Sequence, residues 1–344
     1  MIDGNNTAAE WGTARTDLLI LPVGAFEQHG PHLPVDTDCR IAVYFARILA
    51  ERFNGALLPV QAIASSLEHT GWRGSCTLRP ETLMGVIRDI AENAEAQNYT
   101  TLIVVSGHGG NFPLGPACRE WNRQDRKLKL LLVYPFQYAH ALDRPGRMDL
   151  HAGENETSVM MHICQRKFPL PDNLTYGNIT SLRQPDLNTF GVGWLNPNGV
   201  PGHPEDATLE RGRFLVEKMT DGIVKEVAER LELLANNRRF CGDGGLYLRQ
   251  CNQDDLPELL ALNCAADEWE VYLREGQVWS MLHLNRIVGA AAWRPQDKET
   301  ALIGMLFIKP EWSSSSAAER LLEQIKQETT AFPRQCHDAT VEEL

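Results

Sequence analysis

The sequence predicts an α/β protein in which a mostly parallel sheet is covered by helices on both sides, followed by a smaller α+β domain. Three observations predict this. Short apolar runs alternate with amphipathic helical stretches over the first two-thirds of the chain. The runs lack polar alternation, as expected for strands buried on both faces. Beyond an Asn-, Arg- and Gly-rich segment at 236–245 the spacing changes to short strands and a hairpin.

The strands are expected at 17–23, 56–63, 101–106 and 128–134, each rich in Leu, Ile and Val. Between the first two lies a helix over 38–53, with Ile41, Phe45, Ile48 and Leu49 on one face. A second helix over 80–96 opens with Pro80-Glu81 and continues with Leu83, Val86, Ile87 and Ile90. Strand–helix alternation of this kind gives a parallel sheet whose ligands gather at the C-terminal strand ends. A long helix over 205–234 closes the domain, which is expected to span residues 1–240. The second domain, 245–344, reads as a strand at 246–249, a helix at 256–262 and a hairpin of 278–284 and 287–293 turning at Asn285-Arg286. A strand at 302–308 and a helix at 317–328 follow.

Of the 344 residues, 43% are hydrophobic and 23% charged, which is ordinary for a globular protein, and the formal net charge is -12. That charge argues against a nucleic-acid partner and against docking on an anionic membrane. The polar first ten residues carry no basic-then-apolar start, so a cytoplasmic location is expected. The eight cysteines are scattered without a Cys-x-x-Cys pair and read as reduced thiols.

Three polar clusters follow predicted strands. In the first, Glu27 and His29 are two apart, which places both on one face of an extended segment, and Asp38 sits where the next helix starts. The second is Ser106-Gly-His-Gly-Gly-Asn111, centred on His108, and the third is His151-Ala-Gly-Glu-Asn-Glu-Thr-Ser158, with Glu156. Taken singly, Asp38 or Asn111 could be a helix cap and Gly107 to Gly110 a turn. Together, three His/acid clusters at successive strand ends point to a metal site. Histidine and carboxylate ligands without thiolates suit hydrolytic zinc or manganese. Two such ions can activate water and polarise a scissile carbonyl.

At these residues the chain resembles the creatininase (creatinine amidohydrolase) family. Leu21-Pro-Val-Gly-Ala-Phe-Glu-Gln-His-Gly-Pro-His-Leu-Pro-Val-Asp-Thr-Asp38 is close to that family's signature, and the second and third clusters match its other motifs. Glu68-His69 with Gly74 and Thr77, and Asn196-Pro-Asn-Gly-Val-Pro-Gly202, extend the match over 19–234. The resemblance implies a three-layer α/β/α fold binding two divalent ions (zinc, manganese or iron). It also implies a homo-oligomer, a hexamer by family precedent, and hydrolysis of a small-molecule or peptide amide. It places Glu27, Asp38 and His108 on one metal, and His29, Asp38 and Glu156 on the other. It makes His151 the acid–base residue, with Glu156 the second catalytic group. Creatininase itself has a metal-binding glutamate two positions after the second-motif histidine. Gly110 stands there in this chain, which with the lack of an identifiable tryptophan-rich loop argues against creatinine as substrate. The pattern looks more like the branch that includes the peptidase of mycofactocin maturation.

The C-terminal unit resembles a GNAT-type acetyltransferase at 247–259 and 302–312. The following Ser313-Ser-Ser-Ser-Ala-Ala318 has neither glycine nor a basic residue to hold a pyrophosphate, so a truncated, non-catalytic GNAT-like domain is expected. Two other readings remain open at this level: a bifunctional amidohydrolase/acetyltransferase, and a scaffold built from two inactive enzyme domains.

Overall fold

The computed structural model describes residues 1–124, 126–140, 142–143, 149–177, 179–181, 184–235, 239–240, 246–262, 266–275, 277–283, 286–312, 317–330 and 334–337. The chain divides into two compact units. The first comprises 1–122 and 126–229, and the second 230–344 with 123–125.

The first unit is built on four parallel strands in the order β2-β1-β3-β4, with β1 Leu18–Val23, β2 Ala56–Leu57, β3 Thr101–Ser106 and β4 Lys129–Val133. Its larger helices are α2 Thr37–Phe53, α3 Pro80–Ala96, α4 Leu114–Asn122, α6 Glu154–Cys164 and α9 Leu209–Ala235. Shorter ones are α1 Ala8–Thr13, α5 Gln137–His140, α7 Gln184–Phe190 and α8 Val192–Leu195. Strand residues alternate between two covered faces. Leu19, Leu21 and Val23 of β1 and Leu102 and Val104 of β3 pack with Leu83, Ile87 and Ala91 of α3 and Leu114 and Ala117 of α4. Ile20 and Ile103 point to the opposite face, where α2 packs on β1 and β3 through its buried stripe Ile41, Phe45 and Leu49. With both faces buried, every residue of β1 and β3 is buried, which explains their unbroken apolar runs.

The chain leaves β1 toward β2 on one side and returns to β3 on the other. The crevice between the loops after β1 and β3 is therefore the point where strand order reverses, and ligands collect at such points. The third strand and the helix 80–96 lie where the sequence places them. The second strand does not: only Ala56 and Leu57 pair, and 58–63 run on as an irregular segment with one bridge from Gln61 to Val23. Pro59 removes a donor in that segment, which works against continued pairing. The apolar pattern of 58–63 reports burial near the sheet edge more than strand structure. The closing helix begins at Leu209, four residues later than expected, after a 3-10 turn at Pro204–Asp206.

The second unit holds a six-stranded sheet in the order β10-β9-β8-β7-β6-β5. Its strands are β5 Arg239–Phe240, β6 Leu246–Gln250, β7 Val278–His283, β8 Arg286–Pro295, β9 Thr300–Ile308 and β10 Arg334–His337. All neighbours are antiparallel except β9 and β10. One face carries α12 Ala317–Glu328, whose Leu321 and Ile325 pack on Leu248, Trp279 and Ile303. The other carries α10 Leu256–Leu260 and α11 Ala266–Arg274, whose Leu259, Trp269 and Tyr272 pack on Val278, Ile287 and Met305. Helix α11 and strand β10 have no counterpart in the sequence reading. Asn285, the expected turn residue, and the serine run 313–316 lie outside the described residues. Among the described residues, no helix is long and apolar enough to cross a membrane.

Candidate metal centre

The end of β1 runs into a loop that turns Glu27 and His29 inward, and both are fully buried. His29 Nδ1 donates to the Glu27 carbonyl at 3.2 Å, so Nε2 carries the lone pair whenever the ring is neutral. That Nε2 lies 3.4 Å from Asp38 Oδ1 and 3.4 Å from Glu156 Oε1. Asp38 sits in the first turn of α2, 1% exposed, and does not act as a cap. Its other oxygen, Oδ2, is 3.4 Å from His108 Nδ1. His108 Nε2 in turn lies 3.1 Å from Glu27 Oε2 and 3.2 Å from Glu68 Oε1. The loop bearing His108 reaches this place because Gly107 has no side chain: a Cβ there would stand 2.2 Å from the Asp38 carbonyl oxygen.

The third cluster arrives on the turn into α6. The Asp149 carboxylate accepts from the Glu154 and Asn155 amides, both at 2.8 Å, and ties that turn down. The Ala152 amide donates to Glu156 Oε2 at 2.7 Å, which aims Oε1 at His29. His151 Nε2 donates to the Gln28 carbonyl at 2.8 Å, leaving the Nδ1 lone pair 3.8 Å from Glu27 Oε1. Its ring is flanked by those of His29 and His69, each with centroids 4.4 Å away.

All six residues singled out from the sequence (Glu27, His29, Asp38, His108, His151 and Glu156) therefore meet in one place. Three residues that the sequence reading left without a role join them. Glu68 and His69 come from the 3-10 turn Leu67–His69 and are buried. Gln28 Oε1 accepts from the Gly30 amide at 2.9 Å, which makes its nitrogen the donor to His69 Nδ1 at 2.9 Å. His69 Nε2 thus bears the proton of the neutral ring and lies 3.1 Å from Glu27 Oε1 without forming an aligned hydrogen bond to it. Gln28 thereby fixes the His69 tautomer, and His69 also forms, with Glu27 and His151, a third group of side chains close enough to hold an ion. Asn111, the other candidate cap, bridges instead: it donates to the Gly24 carbonyl at 2.9 Å and accepts from the Ser65 amide at 3.2 Å.

Gly110 marks the departure from creatininase, and the geometry shows what occupies its side-chain space. A Cβ at Gly110 would lie 1.9 Å from Glu68 Oε1, so a carboxylate from another loop fills the position. The only sequence signal for it was the Glu68-His69 pair itself.

Several buried atoms of the cluster lack hydrogen-bond partners: both Glu27 carboxylate oxygens, His29 Nε2, Asp38 Oδ2 and His108 Nε2. Stranding so many polar atoms is costly unless a further group satisfies them. Two ligands about 2.1 Å from one ion stand about 3.0–3.4 Å apart, close to the spacings here. Glu27, Asp38 and His108 can converge on one ion, and His29, His151 and Glu156 on another. Protons show the same demand for positive charge. Burial disfavours charged His108, yet the Glu27 and Asp38 carboxylates raise it to about 10, and Glu156 and Asp38 likewise raise His29 well above its usual range despite burial. Burial, reinforced by the neighbouring imidazoles, holds His151 and His69 down to about 3, so both are neutral. The cluster opens into a cavity of about 330 Å3 walled by Tyr134, Phe136, His140, Leu150, Leu187 and Asn188, the size of a small-molecule site.

Residues 5–227 match the family model described as Creatininase: Creatinine amidohydrolase. The chain belongs to the creatininase family. It is accordingly a hydrolase acting on carbon–nitrogen bonds. Among its relatives, a protein named mycofactocin precursor peptide peptidase from Mycobacterium ulcerans is 34% identical over 237 residues, covering 65% of this chain and 90% of the relative. A creatinine amidohydrolase from Pseudomonas putida is 24% identical over 237 residues, covering 62% of this chain and 89% of the relative. A solved structure of creatinine amidohydrolase (creatininase) superposes with a TM-score of 0.57 at 20% identity, covering 67% of this chain and 97% of that one. This last likeness supports the fold of the first unit.

The charge balance sets a pH dependence for the chelated protein. A histidine raised from 6.5 on folding stabilises the fold fully below 6.5, and that stabilisation is lost as pH climbs toward the folded value, about 10 for His108. Thermal unfolding in chelator is expected to show Tm falling steadily from pH 6.5 to about 8.5, below the range where buried thiols contribute. Added zinc or manganese flattens the slope, because the ligand nitrogens are then already deprotonated. A Tm independent of pH in chelator would contradict this charge assignment.

Proposed function

We propose that this protein is a two-metal peptidase of the creatininase family, cleaving a peptide amide bond by activated water. The observation carrying the two-ion reading is the placement of Asp38. Its two oxygens face opposite histidines, Oδ1 toward His29 and Oδ2 toward His108. In this reading Glu27, Asp38 and His108 would hold one ion, and His29, Asp38 and Glu156 would hold the other. Charge supports the count: the carboxylates of Glu27, Asp38, Glu68 and Glu156 sum to four negative charges, which two divalent ions balance while leaving every histidine neutral. Bound there, the ions would supply Lewis acidity toward the carbonyl oxygen and acidify water.

The chain's own groups supply the rest. His151 is the acid–base residue: its Nδ1 lone pair faces the cluster, and its Nε2 is tied to the Gln28 carbonyl, so a proton can be taken and released at one defined atom. The Glu27 carbonyl keeps His29 oriented, and Gln28 holds His69 beside Glu27. The peptide substrate rests on the relatives named as peptide peptidases and on a cavity with aromatic walls. The absence of the glutamate at Gly110 separates the site from that of creatininase. We read the second unit as a non-catalytic packing domain, resembling a truncated GNAT fold, since Glu311 and Glu319 flank the serine run with charge of the wrong sign for a pyrophosphate. Calorimetric titration with acetyl coenzyme A is expected to give no heat of binding, and micromolar affinity would revive the bifunctional reading.

Elemental analysis of protein purified without chelator is expected to give about two divalent ions per chain. Asp38→Asn should abolish hydrolysis and lower that content. Asp36→Asn should be mild, because Asp36 pairs with Arg40 at 2.8 Å on the surface. The reverse ranking would remove Asp38 from the bridging position.

His151→Ala is expected to cut turnover by about 100- to 10,000-fold with metal content retained. His151 also groups with His29 and Glu156 as a possible ligand set, with ligand atoms within 4.8 Å of one another. Loss of one ion per chain in the variant would make His151 a ligand and reassign the proton transfer.

A further inference from the structure

Beside the metal cavity lies a second groove, lined by Leu67, Thr70, Trp72, Phe190, Gly193 and Trp194 among others. Glu68 and Asn188 border both spaces, so the groove adjoins the cavity. The 3-10 turn Leu67–His69 produces this arrangement. Its Glu68 and His69 point inward to the metal cluster, and its Leu67 points outward at 44% exposure. The opposite wall is the elbow between α7 and α8. Gly191, between the two helices and at the N-cap of α8, has φ +86°, and a Cβ there would stand 3.0 Å from the Glu68 carbonyl oxygen. Only a glycine allows the elbow to lie directly on the turn. The elbow sets Phe190 and Trp194 with ring centroids 6.0 Å apart, 49% and 65% exposed.

Resting on the peptidase reading above, we propose that this strip is a substrate subsite. It takes an aromatic or branched aliphatic side chain next to the amide bond that sits at the metal cluster. Two features select that occupant. Among the described residues, the only charged group lining the groove is Glu68, where it adjoins the cavity, so a cationic or anionic side chain gains nothing further along, while the tryptophan, phenylalanine and leucine faces offer apolar area. The cavity itself, about 330 Å3, has room for the groups at the scissile bond, and the groove that adjoins it at Glu68 and Asn188 lies where the neighbouring residue of a peptide would meet the aromatic strip. A Cβ at Gly193 would meet nothing within 4 Å, so the backbone there is open to an extended chain. Glu68 thus links chemistry to selection: one carboxyl group flanks His108 and also marks the threshold of the groove.

The test uses metal-loaded full-length protein and a library of acetylated pentapeptides, with mass spectrometry reading which amide breaks. Wild type is expected to favour Phe, Tyr or Leu beside the cleaved bond over Ala or Lys by about 10- to 100-fold in kcat/KM. Trp194→Ala, and separately Phe190→Ala, should erase most of that preference through KM. Cleavage of the Ala peptides should stay within about two-fold, and metal content and Tm should be unchanged, since neither ring is part of the buried core. A preference that survives both substitutions overturns the subsite while leaving the peptidase reading intact. A wild-type enzyme that hydrolyses a small formamide but no pentapeptide overturns the peptidase reading and the subsite with it. A change of oligomeric state by sedimentation in either variant assigns the strip to contact with a second copy of this chain and overturns the proposal.

Discussion

Burial of like charge is the constraint on which the site depends. Glu27 and Asp38 lie in the interior beside Glu68, and Glu156 is only partly open to solvent. Carboxylates so placed repel one another and lose hydration, so the fold has to supply positive charge within a few ångströms. Histidine is the residue type that can do so in two ways. It can carry a proton, or it can stay neutral and share a cation with the acids. His29 and His108 use for protons the same nitrogens that would face an ion. Proton and metal are therefore alternatives at one set of atoms, which is why pH and metal affinity are linked here.

The scaffold meets this constraint by drawing charged groups from separate rigid elements. Glu27 and His29 follow β1, His108 follows β3, Asp38 opens α2 and Glu156 opens α6. The crevice where strand order reverses is the one location at which the first two loops diverge and leave space between them. Hydrogen bonds outside the cluster then fix each side chain: Glu27 carbonyl on His29, Gln28 on His69, Ala152 amide on Glu156 and Asp149 on the α6 terminus. Such outer contacts set tautomer and aim, so they bear on catalysis without touching a substrate.

Much of the first unit's sheet and helices was legible because their signals are local. An unbroken apolar run and a 3.6-residue stripe each report burial directly, and β3 and α3 fall at the residues the pattern indicates, as does α12 in the second unit. Residues 58–63 misled because apolar character reports burial without saying whether a neighbour strand pairs. The ligand candidates were legible for a related reason: they sit in motifs of fixed spacing at strand ends. Glu68 and His69 were visible as a pair but could not be given roles. Their function depends on a three-residue turn whose position is set by tertiary packing, and on the empty side-chain space of Gly110, which no single stretch of sequence displays. The α7–α8 elbow was missed altogether, since two short helices carry too little periodicity to register.

The division between what was legible and what was not follows the division between chemistry and selectivity. Residues that face an ion must keep type and spacing, so they leave a compact signature. Residues that form the walls need only present apolar area at the right place, and many side chains can do that. Leu67 comes from the 3-10 turn and Phe190 and Trp194 from the α7–α8 elbow, more than a hundred residues apart in the chain, and they share no motif. They are brought together by Gly191, whose left-handed backbone lets the elbow rest on the same turn that delivers Glu68. A change in the elbow can therefore reshape the groove while the metal-facing side of the turn keeps its place. Selectivity in this architecture can vary around a constant centre because the two are built on opposite faces of one three-residue turn.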